Sequence, residues 1–487
     1  MTETKDNSEI SLPPDASFGA EGAERLSGSV FLTLCAILVF STVAFGAVDT
    51  WALGFLCIGA AFIVFLVFWG AWKTRRLIFS DDLLQLPLVG LILIGVIQLL
   101  PLRSADVSGQ LLSVPAVSSL SLAPYATRLA VIQLIVYLVF FAAALLVIDN
   151  RERLKKTVLL IVVFGSVMAF FGILQRLSNP EAIYGVRPTL QAIPFASFVN
   201  QHHFAAFMEM TIALPLALFF GNATKRDKRL LLIIAAVLMG VAVIFTSSRG
   251  GFLSLLGVLG FIIAANMLGK SDHKGEAESA DVEKAGKYRR NFALIGGGIA
   301  LILVLIGLVL LLGGDQSLLR GTGLTSSSAD LTGGRFHFWE VALKVFRDHP
   351  LIGSGLDSFG TVFPHYDSWN GQFRVEQAHN DYLQILSDGG IPAFLSVLAF
   401  IFLLFKRSLR VIGESENRFR RSTAIGALAG CFGVLLHSFF DFPLRTPSNG
   451  FFFLTLTVLA TASIHYPVRH RRRRRRSAKD DETEGED

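Results

Sequence analysis

Apolar stretches of about 20 residues recur along this chain, each long enough to cross roughly 30 Å of hydrocarbon as a helix. Few other features constrain a fold so tightly. The 487 residues are 52% hydrophobic and only 17% charged, where a soluble domain carries about 25% charged residues. The chain therefore reads as an all-α polytopic membrane protein. Spans are expected at 29–48, 51–72, 83–101, 128–148, 156–176 and 203–221. Further spans follow at 230–246, 250–268, 292–312, 391–405, 422–439 and 450–466. That makes about twelve transmembrane helices.

Five regions result: a polar tail over 1–28, a bundle over 29–312, a large external loop over 313–390, a second bundle over 391–466 and a charged tail over 467–487. Lys and Arg set the orientation, because cytoplasmic connections carry an excess of them. KTRR (73–76), RERLKK (151–156), KRDKR (225–229), the 270–290 and 406–421 loops and the Arg471–Arg476 run all fall on one side, with most of the 44 basic residues. Both termini are then cytoplasmic, and the 313–390 loop faces outward. The first 28 residues lack a charged segment feeding an apolar run and read as a disordered tail, not a signal peptide. RRRRRRSAKDDETEGED is a topology anchor drawn to anionic lipid, and no nucleic-acid partner is expected. Cys35, Cys57 and Cys431 lie within spans without metal-ligand spacing and are assigned to packing.

The 313–390 loop is where chemistry is expected. Connections longer than about 15 residues are usually functional or disordered, and this one is too apolar and too helically patterned for disorder. From Arg335 to Asp348, Phe336, Trp339, Leu343 and Phe346 recur at spacings of three and four, which predicts an amphipathic helix stopped before Pro350. Gly333 and Gly334 make the approach flexible, so Arg335 projects near a helix N-terminus, a place favourable to anions. A second helix is expected from about Val375 to Ser387, ended by Gly389-Gly390, with Pro392 opening the next span. His379 lies on it, with Glu376 three residues earlier on the same face to orient the imidazole.

Other outward segments carry Asp49 (FGAVDTW), Arg187 (YGVRPTL), Asn200, His202 and His203 (FVNQHHFAAF), Arg249 (TSSRGG), and Asp441 with Arg445 (DFPLRTP). Four of these outward segments, the Arg335 one included, bring an Arg, and none brings a cluster of carboxylates. That imbalance points to an anionic ligand held by guanidinium forks and not to a metal, which would need carboxylate, His or Cys ligands. A snorkelling Arg at a span end is the bland alternative for Arg249, but Ser247, Ser248, Gly250 and Gly251 around it leave room for close approach. Glu209 is an ionisable group inside a span and so a candidate by default. His437 and Asp441 have the i, i+4 spacing of a metal pair, without a further ligand in sight.

FVNQHHFAAF, TSSRGGFLSLL, TGGRFHFWEVALKVFRDHPLIGSGLDSFGTVF and EQAHNDYLQILSDGGIPAF together resemble the O-antigen ligase and polymerase family of bacterial membrane glycosyltransferases. The resemblance covers about Phe198 to Phe452, and the last two segments in this order inside one external loop are its specific part. It implies a GT-C-like membrane fold and a metal-independent, inverting transfer of glycan from an undecaprenyl-diphosphate-linked donor. The acceptor is a second glycan or lipid A–core, the place is the inner membrane, and no cofactor is needed. Residue by residue, the diphosphate-contacting arginines fall on Arg249 and Arg335, with Arg187 a further candidate, and the catalytic base falls on His379. Asn200, His202, His203, Glu376, Asn380, Asp441 and Arg445 are expected to bind or orient substrate. Where family members often read Asn-x-Asn-His, this chain has Asn200-Gln201-His202-His203, which leaves the role of His202 open. Two other classes fit less of the pattern. A flippase or transporter would line the membrane centre with charge. A metal-dependent glycosyltransferase would use Asp49 and fail in chelator.

Overall fold

The computed structural model describes residues 14–77, 79–103, 118–178, 182–189, 192–268, 280–311, 334–369 and 375–463. The Arg471–Arg476 run, the first 13 residues and the 312–333 part of the external loop lie outside the described residues. Nine helices come first: α1 (Pro14–Val43), α2 (Thr50–Thr74), α3 (Gln85–Gln98), α4 (Pro124–Val147), α5 (Arg151–Ser178), α6 (Gln201–Phe220), α7 (Arg229–Phe245), α8 (Arg249–Leu268) and α9 (Ala280–Leu311). Then follow α10 (Arg335–Asp348), α11 (Phe359–Tyr366), α12 (Asp381–Glu414), α13 (Arg418–His437) and α14 (Pro447–Thr461). A two-residue ribbon pairs Ala182–Ile183 with Arg187–Pro188. The protein is an all-α polytopic membrane protein.

Among the described residues nine helices are long and apolar enough to span, not twelve. The remaining three expected spans are present as shorter helices: α3, the Asn291–Gly307 part of α9, and the 15-residue α14. α3 and α14 are too short to cross hydrocarbon unaided, whereas α9 runs over 32 residues; α14 is buried along its whole length, so protein and not lipid surrounds it.

Burial sorts the helices into an inner and an outer set. From His203 to Leu218 every residue of α6 is buried, as is every residue of α14, and α13 is nearly so. Small residues permit this: a methyl group at Gly426 would stand 2.8 Å from the Ala213 carbonyl oxygen, and one at Gly430 would stand 2.8 Å from that of Met210. With no hydrophobic driving force between helices in lipid, such close backbone approach supplies the attraction. Arg420, 2% exposed, donates to the carbonyls of Leu459, Ala460 and Ala462, a cation closing the C-terminal end of α14. At the periphery α2 shows Phe55, Phe62, Phe65 and Trp72 outward, an aromatic face suited to lipid.

Between α9 and α12 the described part of the external segment folds as α10 and α11 around Val341, Val345, Phe359, Phe363 and Ala378. The expected helix Arg335–Asp348 is present, but its expected stripe is not the packed one. His337, Val341, Ala342 and Val345 are buried, whereas Phe336 and Leu343 are largely exposed. The sequence carries apolar residues on two sides of this helix, and the layer formed with α11 selected the second. Gln98 at the end of α3 holds this segment to the bundle: its Nε2 donates to the carbonyls of Ile352 and Asp388, and its Oε1 accepts from the Leu356 amide. Gly353 (φ +78) allows the backbones to meet, because a Cβ there would lie 2.3 Å from the Asp388 carbonyl oxygen.

The expected Val375–Ser387 helix begins later, at Asp381. The Asn380 side chain accepts from the amides of Tyr382 and Leu383 and caps that helix, worth about 1 kcal/mol. Residues 375–380 precede it, so His379 and Glu376 do not share a helical face. The break foreseen at Gly389-Gly390 is real: Gly390 has φ +66 and ψ −167 inside α12.

Candidate functional site

The N-termini of α2, α6, α8, α12 and α14 and the C-termini of α7 and α13 bring nearly all the singled-out polar residues to one end of the bundle. At the centre is Asp441, in the turn between α13 and α14 and 1% exposed. Its Oδ1 lies 3.3 Å from His379 Nδ1, and its Oδ2 lies 3.7 Å from Arg335 Nη2. Burial alone would push this carboxyl up, but His379 and the nearby His202 and His203 outweigh burial and hold it well below the usual carboxylate range.

His379 is held from several sides. Its backbone is left-handed (φ +52), a conformation rare for a residue with a Cβ and concentrated at functional sites. The next residue, Asn380, donates from Nδ2 to the Phe439 carbonyl, and the Asp381 amide donates to the Ser438 carbonyl. The segment is thereby tied to the same turn that carries Asp441. The ring packs against Phe442 with centroids 4.9 Å apart and is 29% exposed. One nitrogen thus faces a buried carboxylate while the imidazole stays accessible, the arrangement that orients a general base. The carboxylate beside the imidazole is that of Asp441, while Glu376 sets its Oε2 and its backbone against Gly360.

Arg249 opens α8 directly after α7. Ser247 is left-handed (φ +55). Ser248 accepts from the Gly251 amide at 3.1 Å, and its hydroxyl pairs with His202 Nδ1 at 2.8 Å. The histidine whose role was open therefore pins the turn that presents Arg249. Asn200 accepts from the His202 amide and caps α6, and His203 Nδ1 pairs with the Thr446 hydroxyl at 2.7 Å. Arg335 starts α10 behind Gly334 (φ +82). His337, bonded to Asp367 at 2.7 Å and stacked on Trp369 at 4.1 Å, fixes that first turn.

Two expected ligands are already engaged. Arg187 grips Asp49 with both guanidinium nitrogens, Nη2 donating to Oδ1 at 2.9 Å. Arg445 donates to Asp357 at 2.7 Å and to Asp388 at 2.9 Å, with Asp381 3.7 Å from its Nε. A carboxylate cluster is therefore assembled around Arg445 by Asp357, in the turn before α11, and by Asp381 and Asp388, seven residues apart on α12. The His437–Asp441 metal pair gives way to another contact, since His437 Nδ1 meets Glu209 Oε1 at 2.9 Å inside the bundle. Sequence reading passed over Asp357, Asp381, Asp388 and this Glu209–His437 pair. Glu209 and His437 stand out singly in the sequence, but nothing local pairs them, and nothing local ties Asp357, Asp381 or Asp388 to Arg445.

A polytopic helical membrane protein with an Asp–His pair and arginines at one end of its bundle is the class these features define. Residues 234–398, which include Arg249, Arg335 and His379, match the family described as O-antigen ligase. No curated protein matches the chain significantly.

Proposed function

We propose that the protein transfers a glycan from an undecaprenyl-diphosphate-linked donor to an acceptor hydroxyl at the periplasmic face of the inner membrane. It acts as an O-antigen or exopolysaccharide polymerase or as an O-antigen ligase. The observation that carries this reading is the His379–Asp441–Arg335 array, of which His379 and Arg335 lie in the segment matched to the family. His379 takes the acceptor proton as the oxygen attacks the anomeric carbon. The bond to the diphosphate oxygen breaks on the opposite face, so a single displacement inverts the configuration. The proton stays on the imidazole, whose charge Asp441 stabilises. Arg335 and Arg249 meet the charge growing on the departing diphosphate, a task two guanidinium forks can perform without a metal. Asp49 is a poor metal ligand while Arg187 occupies both its oxygens, and Arg187 is better placed to hold that loop than to hold diphosphate.

The test is transfer by purified enzyme from a lipid-diphosphate donor. His379→Ala should abolish it without loss of expression, and EDTA should leave the parent's rate unchanged. Transfer by His379→Ala within about threefold of the parent, a difference of under 1 kcal/mol, removes the residue from the mechanism. Activity restored only by added Mg²⁺ or Mn²⁺ overturns the metal-free reading.

A further inference from the structure

Glu209 on α6 and His437 on α13 meet in the bundle interior, Oε1 lying 2.9 Å from Nδ1 with both side chains buried. The other carboxyl oxygen, Glu209 Oε2, has no hydrogen-bond partner among the described residues. Ionisable groups at such depth are costly and tend to be functional. Apolar side chains of similar volume would often pack as well or better, so stability alone does not account for the pair.

The neighbours of His437 supply the reason. A methyl group at Gly250 would stand 2.9 Å from both Cδ2 and Nε2 of the ring, so only a residue without Cβ lets the imidazole lie there. Gly250 directly follows Arg249, and Ser248 on the other side is held by His202. The backbone that carries Arg249 is thus gripped between two imidazoles. His437 also governs the rest of the array through its main chain. Its carbonyl accepts from the amides of Phe440 and Asp441 at 2.8 and 3.1 Å. The Ser438 and Phe439 carbonyls in that turn receive the Asp381 amide and the Asn380 side chain, next to His379. One residue therefore joins the turn of Arg249, the carboxylate of Asp441 and the segment of His379. Building on the transfer reaction above, we infer that the Glu209–His437 pair is a positioning device. Glu209 fixes the rotation of the imidazole, the ring sets the place of the Gly250 backbone, and Arg249 is thereby aimed at the departing diphosphate. Neither member of the pair touches substrate.

The experiment measures the affinity of the full-length protein for undecaprenyl diphosphate in phosphatidylethanolamine–phosphatidylglycerol nanodiscs, with kcat and melting temperature alongside. His437→Gln should weaken binding about tenfold, the usual effect of losing an orienting partner. In an Arg249→Lys background the same change should add less than about threefold, because the group it aims is already lost. Gly250→Ala, which keeps the pair and sets a methyl group against the ring, should repeat both results if His437→Gln folds poorly. Glu209→Gln, which can still hydrogen-bond Nδ1, should bind at least about fivefold more tightly than Glu209→Leu, the worth of one hydrogen bond. Losses that multiply with Arg249→Lys would reduce the pair to a brace of the bundle and overturn the proposal. So would parental affinity in both His437→Gln and Gly250→Ala. Coupled losses of affinity in a protein that transfers no glycan would uphold the positioning role and sink the reaction instead.

Discussion

At the scale of single residues, the arginines differ in how closely carboxylates hold them. Arg187 and Arg445 are saturated by carboxylates, whereas Arg335 stands 3.7 Å from a carboxylate oxygen that accepts no hydrogen bond. Arg249→Lys and Arg335→Lys should each lose roughly 3–4 kcal/mol of transition-state stabilisation, 10²–10³ in rate, because Lys keeps the charge without the planar fork. If both variants keep more than about half the parental rate, the clamp is misassigned. Asp441→Asn should lower turnover about 10–100-fold, as loss of an orienting partner does. It also carries a pH signature. The folded-state pKa of Asp441 is depressed, so its ionised form stabilises the fold above the ordinary carboxylate range, and that contribution is lost only as pH falls through the depressed value. The melting-temperature gap between parent and Asp441→Asn should therefore persist from about pH 8 to about pH 5 and narrow only in stronger acid. A gap that vanishes by pH 5 would contradict this electrostatic assignment.

At the scale of elements, the inner helices are joined by polar contacts that lipid makes costly to break. Glu209 on α6 and His437 on α13 are fully buried against each other, and Gly250 of α8 packs on the same imidazole. Removing one member leaves the other buried without its partner, which typically costs 3–5 kcal/mol. Glu209→Ala and His437→Ala should each destabilise by about that amount, and the double variant by clearly less than the sum. Strict additivity in thermal unfolding would show that the pair is not coupled. The helix patterns were legible where apolar periodicity was long, including the bounds of α10 and the break at Gly390. They failed where two readings of one helix competed. Phe336, Trp339, Leu343 and Phe346 make as good a stripe as the buried one, and only the partner layer with Phe359 and Phe363 distinguishes them. The start of α12 was misjudged because Asn380, a capping residue, was read as helix interior.

At the scale of the whole molecule, helix ends alternate consistently, so Asp49, His202, Arg249, His379 and Asp441 share one end while Lys73, Arg151 and Arg418 mark the other. With a cysteine-free background, Leu351→Cys should react with a membrane-impermeant maleimide in intact cells, and Glu416→Cys only after lysis. Equal labelling of both, or the reverse order, would overturn the orientation drawn from basic residues. Membrane class and the alternation of loops followed from the sequence alone, because hydrocarbon thickness and loop charge act on contiguous stretches. So did the identity of His379, Arg249 and Arg335 as candidates, since each lies in a dense local segment. What only the tertiary structure decided is which of these groups face each other. Asp441 displaces Glu376 as the partner of His379, Asp357, Asp381 and Asp388 converge on Arg445, and α14 spans less than a bilayer because other helices enclose it. The physical reason is the same throughout: a side chain's electrostatic partner is set by distance in space, and helices that pack at close range bring together residues that no local pattern connects.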